Sequence, residues 1–382
     1  MRRVIAGLML ALPLATGMAC SGAAPEPVTP PTTTASAAPT DTAPADVDAG
    51  TETDNGAFDA STLHPVEDAG SDASAARGPS ACADGMVLVE GDYCTDVEQK
   101  CLKSWFDKSN KKKVCEEFEP KSTCVGSKIK KRFCIDMYSW PNVKGERPEV
   151  MNNFYQAQVK CAAMGKRMCT ESEWTMACEG PEMKPFPYGY KRDATKCNGD
   201  HKWDGPDMSK VARRDPKELA RLWKGVPSGS QPECISDYGV ADLPANNDEV
   251  VANEHTHGGF EDKFASVNTG GPWYKGVRNQ CRPKIYTHDE GFYYYYLGFR
   301  CCAAPDGAPN EPLTPHQIRD KWKFDRVERL ARFTTAEMKE KLRLKAEGKC
   351  TCKASDNLCK TMCGTLLGPD AKDADLKAPR EP

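Results

Sequence analysis

Cysteine is the residue type with the most chemical potential in this sequence, and there are 19 of them. So many thiols call for an oxidising compartment and several disulfides. The count is odd, so at least one cysteine does something other than pair within the chain. Cys281 is followed by His288 and Glu290 and preceded by His255-Thr256-His257. A thiolate with two or three imidazoles is a donor set for zinc, copper or iron. The alternatives are a structural disulfide at Cys281 and loop histidines around it. Cys350, Cys352, Cys359 and Cys363 form a second group near the C-terminus, open to zinc or to two disulfides.

The elements that must position these residues are sparse. Val87-Leu88-Val89 reads as a strand, a small helix is expected near 97–106 in a Lys- and Cys-rich stretch, and Arg132–Trp140 reads as a second strand. Pro148–Gly165 has helical periodicity, with Val150, Phe154, Ala157 and Cys161 on one face. A second helix follows Thr170, which with Glu173 makes a capping box; Gly180 ends it. Residues 181–244 read as loop. Strand pattern returns over Phe292–Cys301, with the run Tyr293–Tyr296 inside it. Residues 316–347 carry two amphipathic helical stretches, the second capped by Thr334 and Glu337.

Chain organisation adds location. The 382 residues carry a net charge of −3 and a mean hydropathy of −0.63. Near-neutrality argues against a general nucleic-acid binder, and no long apolar run after residue 20 argues against a polytopic membrane protein. Arg2 and Arg3, the apolar Val4–Leu14 and Gly17-Met18-Ala19-Cys20 form an export signal over 1–19 that resembles those of bacterial lipoproteins. Cys20 is then the lipidated residue, and the expected location is extracytoplasmic, at a membrane facing the periplasm or the cell surface. Residues 20–80 have ten acids and one base and almost no large apolar side chains. They read as a disordered, self-repelling tether. A main domain is expected over 81–304, a helical disulfide-linked module over 305–364 and a disordered tail over 365–382.

Gly165-Lys166-Arg167-Met168-Cys169-Thr170-Glu171-Ser172-Glu173-Trp174 resembles the G-K-R-L-P-T-E-x-E-W block of the formylglycine-generating enzyme (sulfatase-modifying factor) family. Phe133-Cys134-Ile135-Asp136, Pro187-Tyr188-Gly189, Asn198, Tyr238–Glu249, Gly270-Gly271-Pro272-Trp273, Cys281-Arg282 and Gly298-Phe299-Arg300-Cys301 match further family blocks in order. The resemblance covers about residues 84–303 and implies the family's α+β fold, related to C-type lectins. The residue patterns agree independently: two helices, few strands, long loops and many cysteines.

The resemblance also implies chemistry. Family enzymes oxidise a substrate cysteine with copper(I) held by two cysteines spaced C-x4-C. Cys281 takes the first position and is the candidate catalytic thiol, but Tyr286 stands where the second is expected, so the copper site is incomplete. The family's calcium ligands map onto Asp242, the carbonyls of Ala245 and Asn247, and Glu249, an oxygen set on a tight loop that suits Ca2+. A solvated acidic turn is the alternative. Asn198 maps onto a second family site. Cys161 and Cys301 match positions that pair in the family, and Cys178 matches a family disulfide position, with Cys302 or Cys197 as its expected partner. Two functions follow. One is a tethered enzyme-family domain acting on a substrate thiol through Cys281. The other is a non-catalytic, calcium-stabilised surface module of the same fold that binds a peptide, protein or glycan.

Overall fold

The computed structural model describes residues 81–367, apart from 109–110, 257, 275, 277, 312–313 and 320. The signal, Cys20, the acidic tether and the tail from 368 lie outside the described residues, as does His257. The fold is α+β. In chain order it runs β1 (Met86–Cys94), β2 (Val97–Asp107), β3 (Lys112–Cys124), β4 (Lys128–Asp136), α1 (Phe154–Ala163), β5 (Arg167–Met168) and α2 (Glu171–Glu179). Then come α3 (Met208–Ala212), α4 (Pro216–Leu222), β6 (Asp248–Ala252), β7 (Ser266–Thr269), β8 (Lys284–Ile285), β9 (Leu297–Gly298) and β10 (Cys301–Ala303). Four helices follow among the described residues: α5 (Pro315–Arg319), α6 (Phe324–Ala331), α7 (Thr335–Ala346) and α8 (Asn357–Cys363).

Two four-stranded sheets and a ribbon carry the strands. One sheet has the order β1-β4-β10-β5, the other β8-β7-β6-β9, and β2 pairs only with β3. The β6–β9 pair is parallel and sets Glu249 level with Gly298, which brings the residues after β9 alongside the acidic loop. Helices α1 and α2 start at capping boxes, Asn153 with Gln156 and Thr170 with Glu173, each satisfying two backbone N–H groups at the helix end. Arg167 adds a two-pronged ion pair to Glu173, with both contacts at 2.8 Å.

Phe154, Ala157 and Cys161 of α1 are buried together with Leu297 of β9 and with Phe299 just after that strand. The same cluster takes in Val327, Ala331, Phe333, Met338 and Met362, so α6, α7 and α8 complete the core around α1. A buried polar joint reinforces this. Lys160 Nζ lies 2.5 Å from Glu149 Oε2 and donates to the carbonyl of Thr361 at 2.7 Å. Leu366 and Leu367, read as tail, are buried against Met151 and Trp223.

Several elements differ from the sequence reading. The segment 97–106 is a strand, not a helix. Val97, Trp105 and Phe106 favour extended backbone, and the Cys101–Cys115 and Cys94–Cys124 disulfides tie it to its partner. The second strand is Lys128–Asp136, ending where Ser139 and Trp140 turn into the core. The tyrosine run is not a strand either. Tyr294, Tyr295 and Tyr296 pack tilted or edge-on against one another, with Tyr295 and Tyr296 against Trp273 and Tyr296 against Tyr274, while Tyr293 lies under Arg214; only 297–298 and 301–303 pair as strand. The run is packing, with Tyr295 2% exposed. The 181–244 loop contains α3 and α4, capped by Asp207 and Asp215.

Candidate functional site

The cysteines decide the first question. All eighteen cysteines among the described residues are paired, in nine disulfides. Cys161 bonds Cys301 and ties α1 to β10. Cys178 bonds Cys281, rather than Cys302 or Cys197, which bond Cys169 and Cys234. Cys281 is therefore the missing partner of the disulfide position at Cys178, and the thiol expected for catalysis is spent there. It is buried as well. A copper(I) site needs soft thiolates, and this donor set does not fit it. Cys350–Cys363 and Cys352–Cys359 likewise leave no thiolate for zinc.

The expected calcium loop is a closed ion pair. Glu249 Oε2 accepts from Arg300 Nε at 2.7 Å and from Trp174 Nε1 at 2.8 Å. Its Oε1 accepts from Arg300 Nη2 at 3.0 Å and from the Ser139 hydroxyl. The remaining guanidinium N–H groups reach the carbonyls of Asp136, Met137 and Ala241, and Arg300 is completely buried. Asp242 accepts from the backbone N–H of Gly229 at 2.9 Å, and the Ala245 carbonyl accepts from Asn247 N–H. Arg300 thus supplies the positive charge Glu249 needs, and the loop does not fit Ca2+ coordination through that carboxylate. Burial pushes the Asp242 carboxyl up to about 6. Asn198 is also fully used, donating to the Lys224 carbonyl and to Asn246 and facing His201 Nε2 at 2.9 Å.

An open site lies instead around Tyr286, where β8 ends. A cleft of about 790 Å³ is bounded by β1, the start of α2 and the loop after β6. Tyr286 donates its hydroxyl to Glu171 Oε2 at 2.9 Å. His255 Nε2 lies 3.1 Å from that hydroxyl oxygen and 3.3 Å from Glu171 Oε1. Tyr286 spends its one proton on Glu171, so His255 is the donor to it and carries its proton on Nε2. Burial, then the charge of Glu171, keep the Tyr286 phenol protonated far above its usual range. The cleft has cations too. Arg282 grips Glu179 through two contacts of 2.7 Å, and Lys131 pairs with Glu254 at 3.5 Å. Lys284 Nζ donates to Thr175 Oγ1 at 2.7 Å and to the Arg282 carbonyl at 3.2 Å, with no carboxylate in ion-pair range among the described residues. Burial lowers its pKa.

The Cys281–His288–Glu290 grouping is not assembled. His288 stacks on Phe292, with ring centres 3.7 Å apart, and Glu290 accepts the backbone N–H of Ala265. His255 joins Tyr286 and Glu171 instead. Sequence reasoning missed Glu171 and Lys284, which lie on different elements far apart in the chain. Glu171 and Arg300 both stand inside family motifs, and for Arg300 an arginine within an apolar strand end is the signal that marks it.

Residues 104–305 match the family model described as a sulfatase-modifying factor enzyme 1-like domain. No curated protein matches the sequence. Among solved structures, PvdO from Pseudomonas aeruginosa is similar at 15% identity and a TM-score of 0.37, over 59% of this chain and 99% of that one. CarF is similar at 12% identity and a TM-score of 0.38, over 60% and 99%. Treponema denticola variable protein 1 is similar at 14% identity and a TM-score of 0.34, over 58% and 95%. The family match spans just over half of the sequence, and the chain belongs to the sulfatase-modifying factor (formylglycine-generating enzyme-like) family.

Proposed function

We propose that this protein is a non-catalytic binding module of its family, working outside the cytoplasm and held at a membrane through lipid on Cys20. The observation that carries this reading is the pairing of Cys281 with Cys178, which leaves neither a copper thiolate nor a free thiol for substrate. Nine disulfides support an oxidising compartment, and the odd cysteine, Cys20, is the one available for lipid. The ligand belongs in the Tyr286 cleft. Its wall offers a hydrogen-bonded Glu–His–Tyr chain and one half-buried ammonium, Lys284, with no carboxylate in ion-pair range among the described residues. Such a surface suits a peptide or glycan with polar groups and one acidic group, seated on Lys284.

Peptide and glycan arrays probed with the full chain test this. The expected result is a hit whose binding falls at least about tenfold in both Lys284→Met and Tyr286→Phe, the cost of losing one charge-assisted or buried hydrogen bond. Binding indifferent to both substitutions contradicts the cleft. Conversion of a C-x-P-x-R peptide to formylglycine contradicts the non-catalytic reading.

A further inference from the structure

The β2–β3 ribbon and the strand that follows it concentrate positive charge. Residues 97–132 hold ten lysines and one arginine against five acids, a net charge of +6, whereas residues 81–382 as a whole carry only +4. Lys100, Lys131 and Arg132 are used on Glu119, Glu254 and the pair Glu90 and Asp306. Lys103, Lys108, Lys111, Lys112 and Lys113, toward the ribbon tip, have no ion pair among the described residues. Strand register sets Phe106 directly across from Lys113, so the two share a face. Phe106 is 60% exposed and Leu102 55% exposed. The ribbon is rigid: Cys101–Cys115 crosses it, Cys94–Cys124 closes its base, and Phe118 anchors it against Phe186.

We propose that this ribbon docks the domain on an anionic lipid surface. Unpaired lysines are point charges that suit a layer of phosphate headgroups without demanding bidentate geometry. An exposed phenylalanine and leucine among them can enter the headgroup boundary, which an acidic protein or a soluble polyanion does not require. A rigid ribbon loses little conformational freedom on docking. The inference is independent of the Tyr286 cleft and of lipid on Cys20.

Sedimentation of the full chain with vesicles tests it, comparing phosphatidylcholine alone with a phosphatidylcholine–phosphatidylglycerol mixture. Any attraction of the N-terminal Arg2 and Arg3 to the vesicles is common to every variant, so the comparison between variants isolates the ribbon. Binding is expected to be at least about tenfold tighter to the anionic vesicles at low salt and to weaken as salt rises. The triple substitution Lys111→Glu, Lys112→Glu, Lys113→Glu removes that preference. Phe106→Ser, a milder exposed change, weakens it while leaving the salt dependence. Equal binding to both vesicle types, or a preference the triple substitution does not alter, overturns the proposal. Retention of soluble polyglutamate in place of vesicles also overturns it, in favour of an acidic protein.

Discussion

Two clusters in this molecule are built from the same kinds of side chain and do opposite things. At the centre, Glu249, Arg300, Trp174 and Ser139 satisfy one another completely with no room left over. At the end of β8, Glu171, His255 and Tyr286 also bond in a chain, but they line an open cleft beside Lys284, whose ammonium has no carboxylate in ion-pair range among the described residues. Residue type does not separate structure from function here. Saturation and access do. A closed ion pair fixes the loop between Asp242 and Glu249, where the family resemblance implies calcium, and the open cluster is where a ligand can gain contacts.

The largest effect belongs to the closed cluster. Arg300→Met leaves Glu249 buried without its cation, and urea unfolding is expected to show a loss of about 3–5 kcal/mol. A loss below about 1 kcal/mol would mean the pair is not the anchor of the loop. Asp242, beside it, gives an opposite and smaller effect. Its folded pKa is raised to about 6, against about 3.9 unfolded. The charged form therefore costs stability at pH 7, and that cost is relieved as pH falls from about 7 to 4. Asp242→Asn keeps an acceptor for Gly229 and tolerates the positive φ of 66° there. It is expected to stabilise by roughly 2–3 kcal/mol at pH 7, with the gain vanishing near pH 4. A gain that does not change with pH would refute this.

The legible part of the sequence was local. Capping boxes at Thr170 and Thr334 and the Phe154, Ala157 and Cys161 face of α1 follow from short spacings, and the structure has them, but α1 begins only after the Asn153 cap, so Val150 lies before the helix and packs in another cluster. The pairing of Cys178 with Cys281 spans 103 residues and depends on β8 passing α2, so no spacing rule reaches it. The tyrosine run misled because alternation and stacking use the same residues. The 97–106 segment misled because its exposed lysines hide the strand pattern that its cross-strand disulfide enforces. The cleft could not be read because Glu171 looked like the first turn of a capped helix, which it also is.

Smaller effects sharpen the contrast from the open side. Tyr286→Phe removes a hydroxyl bonded to Glu171 and His255 in a partly solvated cleft, so stability should change by less than about 1 kcal/mol while ligand binding falls by at least about tenfold. A large destabilisation would make this cluster structural too. Chelator should leave the melting temperature unchanged, because Arg300 already neutralises Glu249. A drop on chelation, restored by calcium, would show a cation where none is expected.

This family member keeps the fold while its candidate copper thiol, Cys281, is held in a disulfide. Thiol counting on the native full chain, followed by copper(I) titration under non-reducing conditions, tests it most directly. No reactive thiol beyond Cys20 is expected, and no copper(I) bound once Cys20→Ala is introduced. One equivalent of copper(I) bound to that variant and lost on Cys281→Ser would contradict it.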